Sequence, residues 1–514
     1  MEIKDDFVNN FTQQDLKSWI NNEFTDKQII TVSNRKPIQK NDGTFKSVGG
    51  VVTALESIMN SSGGTWISPF PCDSQDSKQE GPNKQGIKYT SIDVPIPSYV
   101  YDCYYNGFSN GAIWPLCHNA FIRPIFKRSD WECYKSVNKR MAEAISSHII
   151  NGSEIIIIHD YHFALLPRYL RETHPNINIG FFWHIPWPSK DSFSIFPWSH
   201  ELLDGLMACN LIGVQTKIIA NNLIECTKST IECSFDKENY MIYRNALSSY
   251  IRNYPISIND ELFDNHLGNG WENRARKLLN EKKITTHPFF LGVDRADYTK
   301  GIPEKLKSFE LLLDNHSHLR GRIQFLQVAV PTRINMPQFK NELERIRDLV
   351  KSINHKFEFD DWRPIRLIED FVSHDELNYL YKMAIACVVS PLHDGMNLVA
   401  KEFVASRKDL NGVLILSKFA GAFEELAEGS ITINPFDLST ILKAYEQAIE
   451  MTEIEQRRRM RLMRSKVLKA NIFTWFYTLL NDLAKFQKKY CVNSTQSFKE
   501  TNNISYFSPN NQST

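Results

Sequence analysis

Short runs of β-branched and other apolar residues, each stopping at a polar or glycine-containing turn and giving way to a helical pattern, constrain this chain most. They lack the alternating polar positions of a half-exposed sheet, so both faces of each strand must be buried, as in parallel sheets covered by helices. One set comprises 29–33, 154–158, 179–183 and 211–215, with 254–259 reading as the strand that closes it; a second comprises 288–293, 323–330, 385–390 and 413–417. Two such runs of alternating strands and helices predict an α/β protein of two Rossmann-like domains, with ligands meeting the carboxyl ends of the strands. The length agrees: 514 residues are too many for one core, and 42% hydrophobic residues are enough to fill two.

Polar residues sit where these runs stop. Past 385–390, Asp394-Gly395 breaks the strand and a helical pattern starts at Asn397. The first N–H groups of that helix, at Asn397 and Leu398, form an anion site suited to a phosphate or pyrophosphate without a metal. Asp394 and Glu402 lie eight residues apart, so their carboxylates can hold hydroxyls at opposite ends of one ligand. A surface Asp and an exposed Glu at an ordinary strand-to-helix corner fit the same residues. Arg295 and Lys300, five apart just past 288–293, can both reach one pyrophosphate or can both be solvated. Arg35, Asp160, His184 and Arg333 likewise come just after strands. Gly49-Gly50, before a helical pattern over 51–59, either lets a loop approach a ligand closely or makes a plain turn. The tract 104–114, dense in aromatics and Asn, suits a core or a sugar site.

Charge and composition exclude other classes. A net charge of +1 gives no general attraction to nucleic acid or membrane, and the Arg-rich run 457–464, mixed with Glu453 and Glu455, reads as a solvated helix face. Nine cysteines without C-x-x-C spacing argue for reduced thiols rather than a disulfide framework or zinc. The first ten residues are acidic and polar, and no apolar run reaches the ~18 residues that span a bilayer, so a cytoplasmic protein is expected. Residues 69–90 read as an irregular excursion, and 492–514, rich in Ser, Asn and Thr, as a disordered tail.

Seven motifs occur in order: Ser33-Asn-Arg35, Gly49-Gly50, Tyr104-Tyr-Asn-Gly-Phe-Ser-Asn110, His159-Asp-Tyr-His162, His184-Ile-Pro186, Val293-Asp-Arg-Ala-Asp-Tyr-Thr-Lys-Gly301 and Asp394-Gly-Met-Asn-Leu-Val-Ala-Lys-Glu402. Through them the chain, from about 28 to 480, resembles the trehalose-6-phosphate synthase family of retaining GT-B glycosyltransferases. The resemblance implies two facing Rossmann-like domains with a central cleft: an extension 1–27, an acceptor domain 28–260, a nucleotide-sugar domain 261–470, and a helix 471–491 returning to the first domain. It implies transfer of glucose from UDP-glucose to glucose 6-phosphate with no cofactor and no metal. The roles it implies are donor binding by Gly49, Gly50, Arg295, Lys300, Val372, Asn397, Leu398 and Glu402, and acceptor binding by Arg35, Tyr105, Trp114, Asp160 and Arg333. His184, Arg295, Lys300 and Asp394 would serve catalysis. Expected partners are small-molecule substrates, with room for a homo-oligomer. His393, Ala296 and Ser257 depart from the family's usual Arg, Leu and Gly at those places. A relative with another phosphorylated acceptor, such as a glucosylglycerol-phosphate synthase, and a non-catalytic sugar-phosphate sensor are the rival readings. Retention of Lys300, Asp394 and Glu402 weighs against the sensor.

Overall fold

The computed structural model describes residues 11–24, 27–39, 45–46, 50–73, 89–119, 122–264, 273, 277, 279–280, 287–490 and 505–507. The chain divides into two compact units, Met1–Ile256 with Ile472–Thr514, and Ser257–Asn471.

In the first unit seven strands run parallel in the order Thr90–Ile96, Thr65–Pro71, Ile29–Val32, Ile155–His159, Asn178–Trp183, Leu211–Val214 and Leu247–Asn253, among the described residues. Every residue of Ile29–Val32, Ile155–His159, Asn178–Trp183 and Leu211–Val214 is buried, which is why these segments read as unbroken apolar runs. The chain builds outward from Ile29–Val32 on one side, then returns to its other side with Ile155–His159. That reversal opens a crevice at the carboxyl ends of those two strands, beside Arg35 and Asp160.

Three expectations need correction. The closing strand is Leu247–Asn253, and 254–259 is irregular. Pairing with Leu211–Val214 stops after the Tyr254 N–H reaches the Val214 carbonyl at 2.7 Å: the next donor on that edge, the Ile256 N–H, goes to the Gln215 side-chain oxygen at 3.0 Å instead of a backbone carbonyl. Pro69 to Pro71, expected to be irregular, complete the strand Thr65–Pro71; residues 74–88 lie outside the described residues. Within the tail expected to lack structure, Ser505–Phe507 pairs antiparallel with Cys233–Asp236, at the end of an antiparallel edge that also holds Met241–Arg244. The rest of that tail is likewise outside the described residues.

The helix Ile472–Tyr490 belongs to the first unit. Trp475 Nε1 donates to the Tyr254 carbonyl at 3.1 Å, and the Asp482 carboxylate accepts from Arg252 at 2.9 Å and the Tyr254 hydroxyl at 2.8 Å. The N-terminal helix Gln13–Glu23 starts at a Thr12–Asp15 capping box and packs on Gly50–Ser62 and on this last helix, with Trp19 4.7 Å from Tyr477 between ring centroids.

The second unit holds a parallel sheet in the order Ile365–Ile368, Gln324–Val330, Phe289–Arg295, Ala386–Val389, Val413–Ser417 and Ile431–Ile433. Its order reverses between Phe289–Arg295 and Ala386–Val389, so the residues after those two strands line the crevice. The core includes Phe290, Phe309, Phe325 and Tyr445, with Phe290 and Tyr445 centroids 4.7 Å apart. A fully buried Lys305 makes a 2.5 Å ion pair with Asp294 beneath the strand ends. Gly292 leaves room for that pair: a Cβ there would stand 2.3 Å from Gln327 Oε1 and 3.0 Å from Lys305 Nζ. Among the described residues no helix is long and apolar enough to cross a membrane.

Candidate functional site

In the second unit Lys300, Asp394 and Asn397, three of the groups expected to meet a nucleotide sugar, come together at the point where the strand order reverses. Lys300 Nζ lies 2.5 Å from Asp394 Oδ2, although the two are 94 residues apart in the chain. Two glycines make this approach feasible. Gly301 adopts φ +62°, and a Cβ there would stand 2.2 Å from the Ser390 carbonyl oxygen; a Cβ on Gly421 would stand 1.8 Å from that of Gly395. Asn397 holds the turn with φ +89°, donating from Nδ2 to Asp394 at 3.2 Å and accepting the Ala400 N–H at 3.3 Å. It is therefore the N-cap, and the helix expected to start at Asn397 starts at Leu398 and runs to Ser406. Glu402 is buried on that helix and accepts from the Tyr381 hydroxyl at 2.8 Å. Burial pushes its carboxyl pKa up, against the lowering influence of His374 and Tyr381. Val372 is buried just before the helix His374–Met383.

One residue not singled out from the sequence organises the cations. Asp297, fully buried, stands 3.5 Å from Arg295 and 3.7 Å from Arg333. Burial raises its carboxyl pKa, but Arg295, Arg333, Lys300 and the Thr299 N–H together outweigh burial and hold it below the ordinary carboxylate value. Arg333 is in the left-handed region, φ +49°, with its guanidinium over the Phe339 ring at 5.0 Å. Three cations against two carboxylates, Asp297 and Asp394, leave local positive charge, the condition for taking up an anion. The signal was present in the sequence, since Asp297 stands two residues after Arg295.

In the first unit the acceptor candidates are joined by aromatic contacts. Arg35 donates to the Tyr105 hydroxyl and lies 5.3 Å from that ring's centre. Tyr105 stacks on His162 at 5.7 Å and on Tyr101 at 5.6 Å. Asn34, beside Arg35 in sequence, accepts from the Tyr104 hydroxyl at 2.9 Å and donates to Tyr101 at 3.2 Å. Tyr104 and Tyr105 belong to a π-helix, Cys103–Ile113, set between α-helical turns; the Trp114 N–H reaches the Ser109 carbonyl five residues back. Such wide turns are frequent at functional sites. Trp114 is buried, 5.9 Å from Tyr161 between ring centres. Asp160 adopts φ +77° and its Oδ1 accepts the Tyr161 N–H at 3.0 Å and the His184 N–H at 3.3 Å. His184 is buried against His159 and Gln215, neither of which was singled out from the sequence. Gly50 opens the helix Gly50–Ser62, while Gly49 lies outside the described residues. Among the described residues no three His, Cys, Asp or Glu side chains could together hold a metal ion.

Comparison with known proteins joins these halves to one family. A model of glycosyltransferase family 20 matches residues 25–485. The chain is 35% identical over 442 residues to an Aspergillus niger alpha,alpha-trehalose-phosphate synthase (UDP-forming), covering 84% of each. It is 34% identical to a trehalose-6-phosphate synthase of Mycolicibacterium vanbaalenii, covering 89% of this chain and 96% of that one. Its fold matches a Burkholderia xenovorans alpha,alpha-trehalose-phosphate synthase (UDP-forming) solved in complex with glucose-6-phosphate, with a TM-score of 0.81, 29% identity, and coverage of 89% of this chain and 100% of that one. An Escherichia coli protein bound with UDP-2-fluoro glucose matches with a TM-score of 0.80 and 28% identity, over 89% and 99% of the two chains. The two mainly parallel sheets are thus those of a GT-B glycosyltransferase, and the chain belongs to glycosyltransferase family 20.

Proposed function

We propose that the chain transfers glucose from UDP-glucose to the anomeric hydroxyl of glucose 6-phosphate, giving trehalose 6-phosphate and UDP with the donor's configuration retained. The observation that carries this reading is the gathering of Arg295, Lys300 and Arg333 around the buried Asp297, next to the Lys300–Asp394 pair and the Asn397-capped helix start. It is supported by relatives described as UDP-forming trehalose-phosphate synthases.

As the bond to the leaving diphosphate breaks, negative charge grows on it and the sugar carbon becomes oxocarbenium-like. Arg295, Lys300 and the Leu398 helix start stabilise that negative charge. Lys300 exchanges Asp394 for the diphosphate, which leaves the Asp394 carboxylate to accept from the donor glucose. Glu402 takes the ribose, and Val372 and its neighbours the base. The glucose 6-phosphate is held by Arg35, Tyr105, Trp114, Asp160 and Arg333, and His184 lies against the reacting sugar. Attack comes from the face that the diphosphate leaves, and the attacking hydroxyl passes its proton to the departing diphosphate oxygen, so no covalent carboxylate intermediate of the retaining-glycosidase kind is formed.

The test is to incubate the purified chain with UDP-glucose and, separately, glucose 6-phosphate, glycerol 3-phosphate and glucose, measuring UDP and identifying the disaccharide. Fastest UDP release with glucose 6-phosphate, together with trehalose 6-phosphate as product, is expected. Preference for glycerol 3-phosphate would move the chain to a different synthase, and no release with any acceptor would make it a sensor.

A further inference from the structure

Two imidazoles and one amide are joined behind the strand ends of the first unit, and their partners fix where the protons sit. The Ile256 backbone N–H can only donate, so the Gln215 atom 3.0 Å from it is the amide oxygen. The other end of the amide is then the NH2 group, a pure donor, lying 3.5 Å from His184 Nδ1 and 3.4 Å from the His184 carbonyl oxygen. A donor facing Nδ1 requires a lone pair there, which puts the His184 proton on Nε2. That nitrogen lies 3.2 Å from His159 Nδ1, so His159 accepts there and carries its own proton on Nε2. Gln215, His159 and His184 are all buried. Burial holds the His159 pKa down at about 3, and burial together with the neighbouring His159 and His162 holds that of His184 well below its ordinary value. Asp160 accepts the His184 backbone N–H.

We propose that Gln215 and His159 are positioning residues that hold His184 as the neutral Nε2–H tautomer, and that a sugar hydroxyl takes the single Nδ1 lone pair in place of the long Gln215 contact at 3.5 Å, the amide keeping the His184 carbonyl oxygen. The functional half of this inference rests on the glucosyl-transfer reading above; the tautomer does not. His184 then accepts from a hydroxyl and gives no proton to the leaving group. A neutral ring also does not oppose the positive charge that develops on the sugar carbon, whereas an imidazolium would.

The test uses the full chain labelled with 15N-histidine and two-bond 1H–15N correlation spectra between about pH 6 and pH 8, the range in which an ordinary histidine titrates. The His184 signals are those missing from His184→Asn. The expected result is one neutral pattern with the proton on Nε2, unchanged across the range. His159→Leu removes the acceptor, so it should lower turnover about tenfold with little change in KM, the scale of one hydrogen bond, and let both tautomers appear. His159→Asn returns an acceptor oxygen near the place of Nδ1 and should recover most of the turnover and the single tautomer. An Nδ1–H pattern in the native chain, a titration near the ordinary value, or equal losses in the Leu and Asn variants would overturn the proposal. The spectra need no substrate. The expected tautomer in a chain that releases no UDP would therefore defeat glucosyl transfer and leave the hydrogen-bond network standing.

Discussion

Replacing Asp297 by Asn keeps the shape of the buried side chain and removes its charge. The carboxylate stands 3.5 Å from Arg295 and 3.7 Å from Arg333. At an effective dielectric of about 20, each contact is worth roughly 4–5 kcal/mol of gross attraction. Desolvation of the carboxylate offsets several kcal/mol of that sum. Arg295 is also 34% exposed, so water screens its share. Breaking a buried pair from one side costs about 3–5 kcal/mol, and the screening places this case near 3 kcal/mol. For a unit the size of Ser257–Asn471, that lowers the thermal midpoint by roughly 6–12 °C. The Asp297 pKa is depressed in the folded chain, so its contribution is complete above the unfolded value of 3.8 and is lost as pH falls through the lower folded value. The deficit should accordingly be constant between about pH 5 and pH 8 and shrink only in acid. Removing a negative charge from among three cations also strengthens the field acting on a diphosphate, so UDP should raise the variant's midpoint more than the native one. Scanning calorimetry of both proteins with and without saturating UDP measures each quantity. An unchanged midpoint, or an equal UDP effect in both, would refute the idea that this carboxylate is the counterweight to the cations.

Three further outcomes are expected. Arg295→Ala and Lys300→Ala should each lower turnover with UDP-glucose by at least about 100-fold, because each removes a donor aimed at developing phosphate charge; near-normal rates in both would defeat the donor assignment. Activity should survive EDTA, and a complete loss restored by Mg²⁺ or Mn²⁺ would count against charge stabilisation by side chains and the helix start. Arg333→Ala should raise the KM for glucose 6-phosphate and lower its turnover while affecting plain glucose much less; equal proportional losses would take Arg333 away from the acceptor phosphate.

The strands were legible because a buried parallel strand has no polar face to interrupt it, and the residues after them were conspicuous for the opposite reason. The tract 254–259 misled because Ile256 and Ile258 alternate with polar residues, whereas the backbone pairing had already ended before Pro255. The meeting of Arg333 with Asp297 could not be read along the chain. It depends on Phe289–Arg295 and Gln324–Val330 being neighbours with Arg295 level with Val330, so that the residues just past one strand lie beside those just past the other. His159 and His184 come together in the same way, through the pairing of Ile155–His159 with Asn178–Trp183. The π-helix left no trace in the apolar spacing, because Ser109 and Asn110 are buried along with Tyr104 and Phe108, so the apolar residues alone carry no single period.

That π-helix ties chain length to ring placement. Its turns take one residue more than α-helical turns to close. Deleting one residue between 106 and 109 would let the segment relax into ordinary α-geometry, with better-aligned hydrogen bonds. It would also rotate everything downstream by about 100° around the axis, carrying Trp114 away from Tyr161. A shorter segment would then be the sturdier helix, with its aromatic rings out of place. Screening deletion libraries for heat resistance should enrich such losses, whereas screening the same libraries for glucosyl transfer should eliminate them.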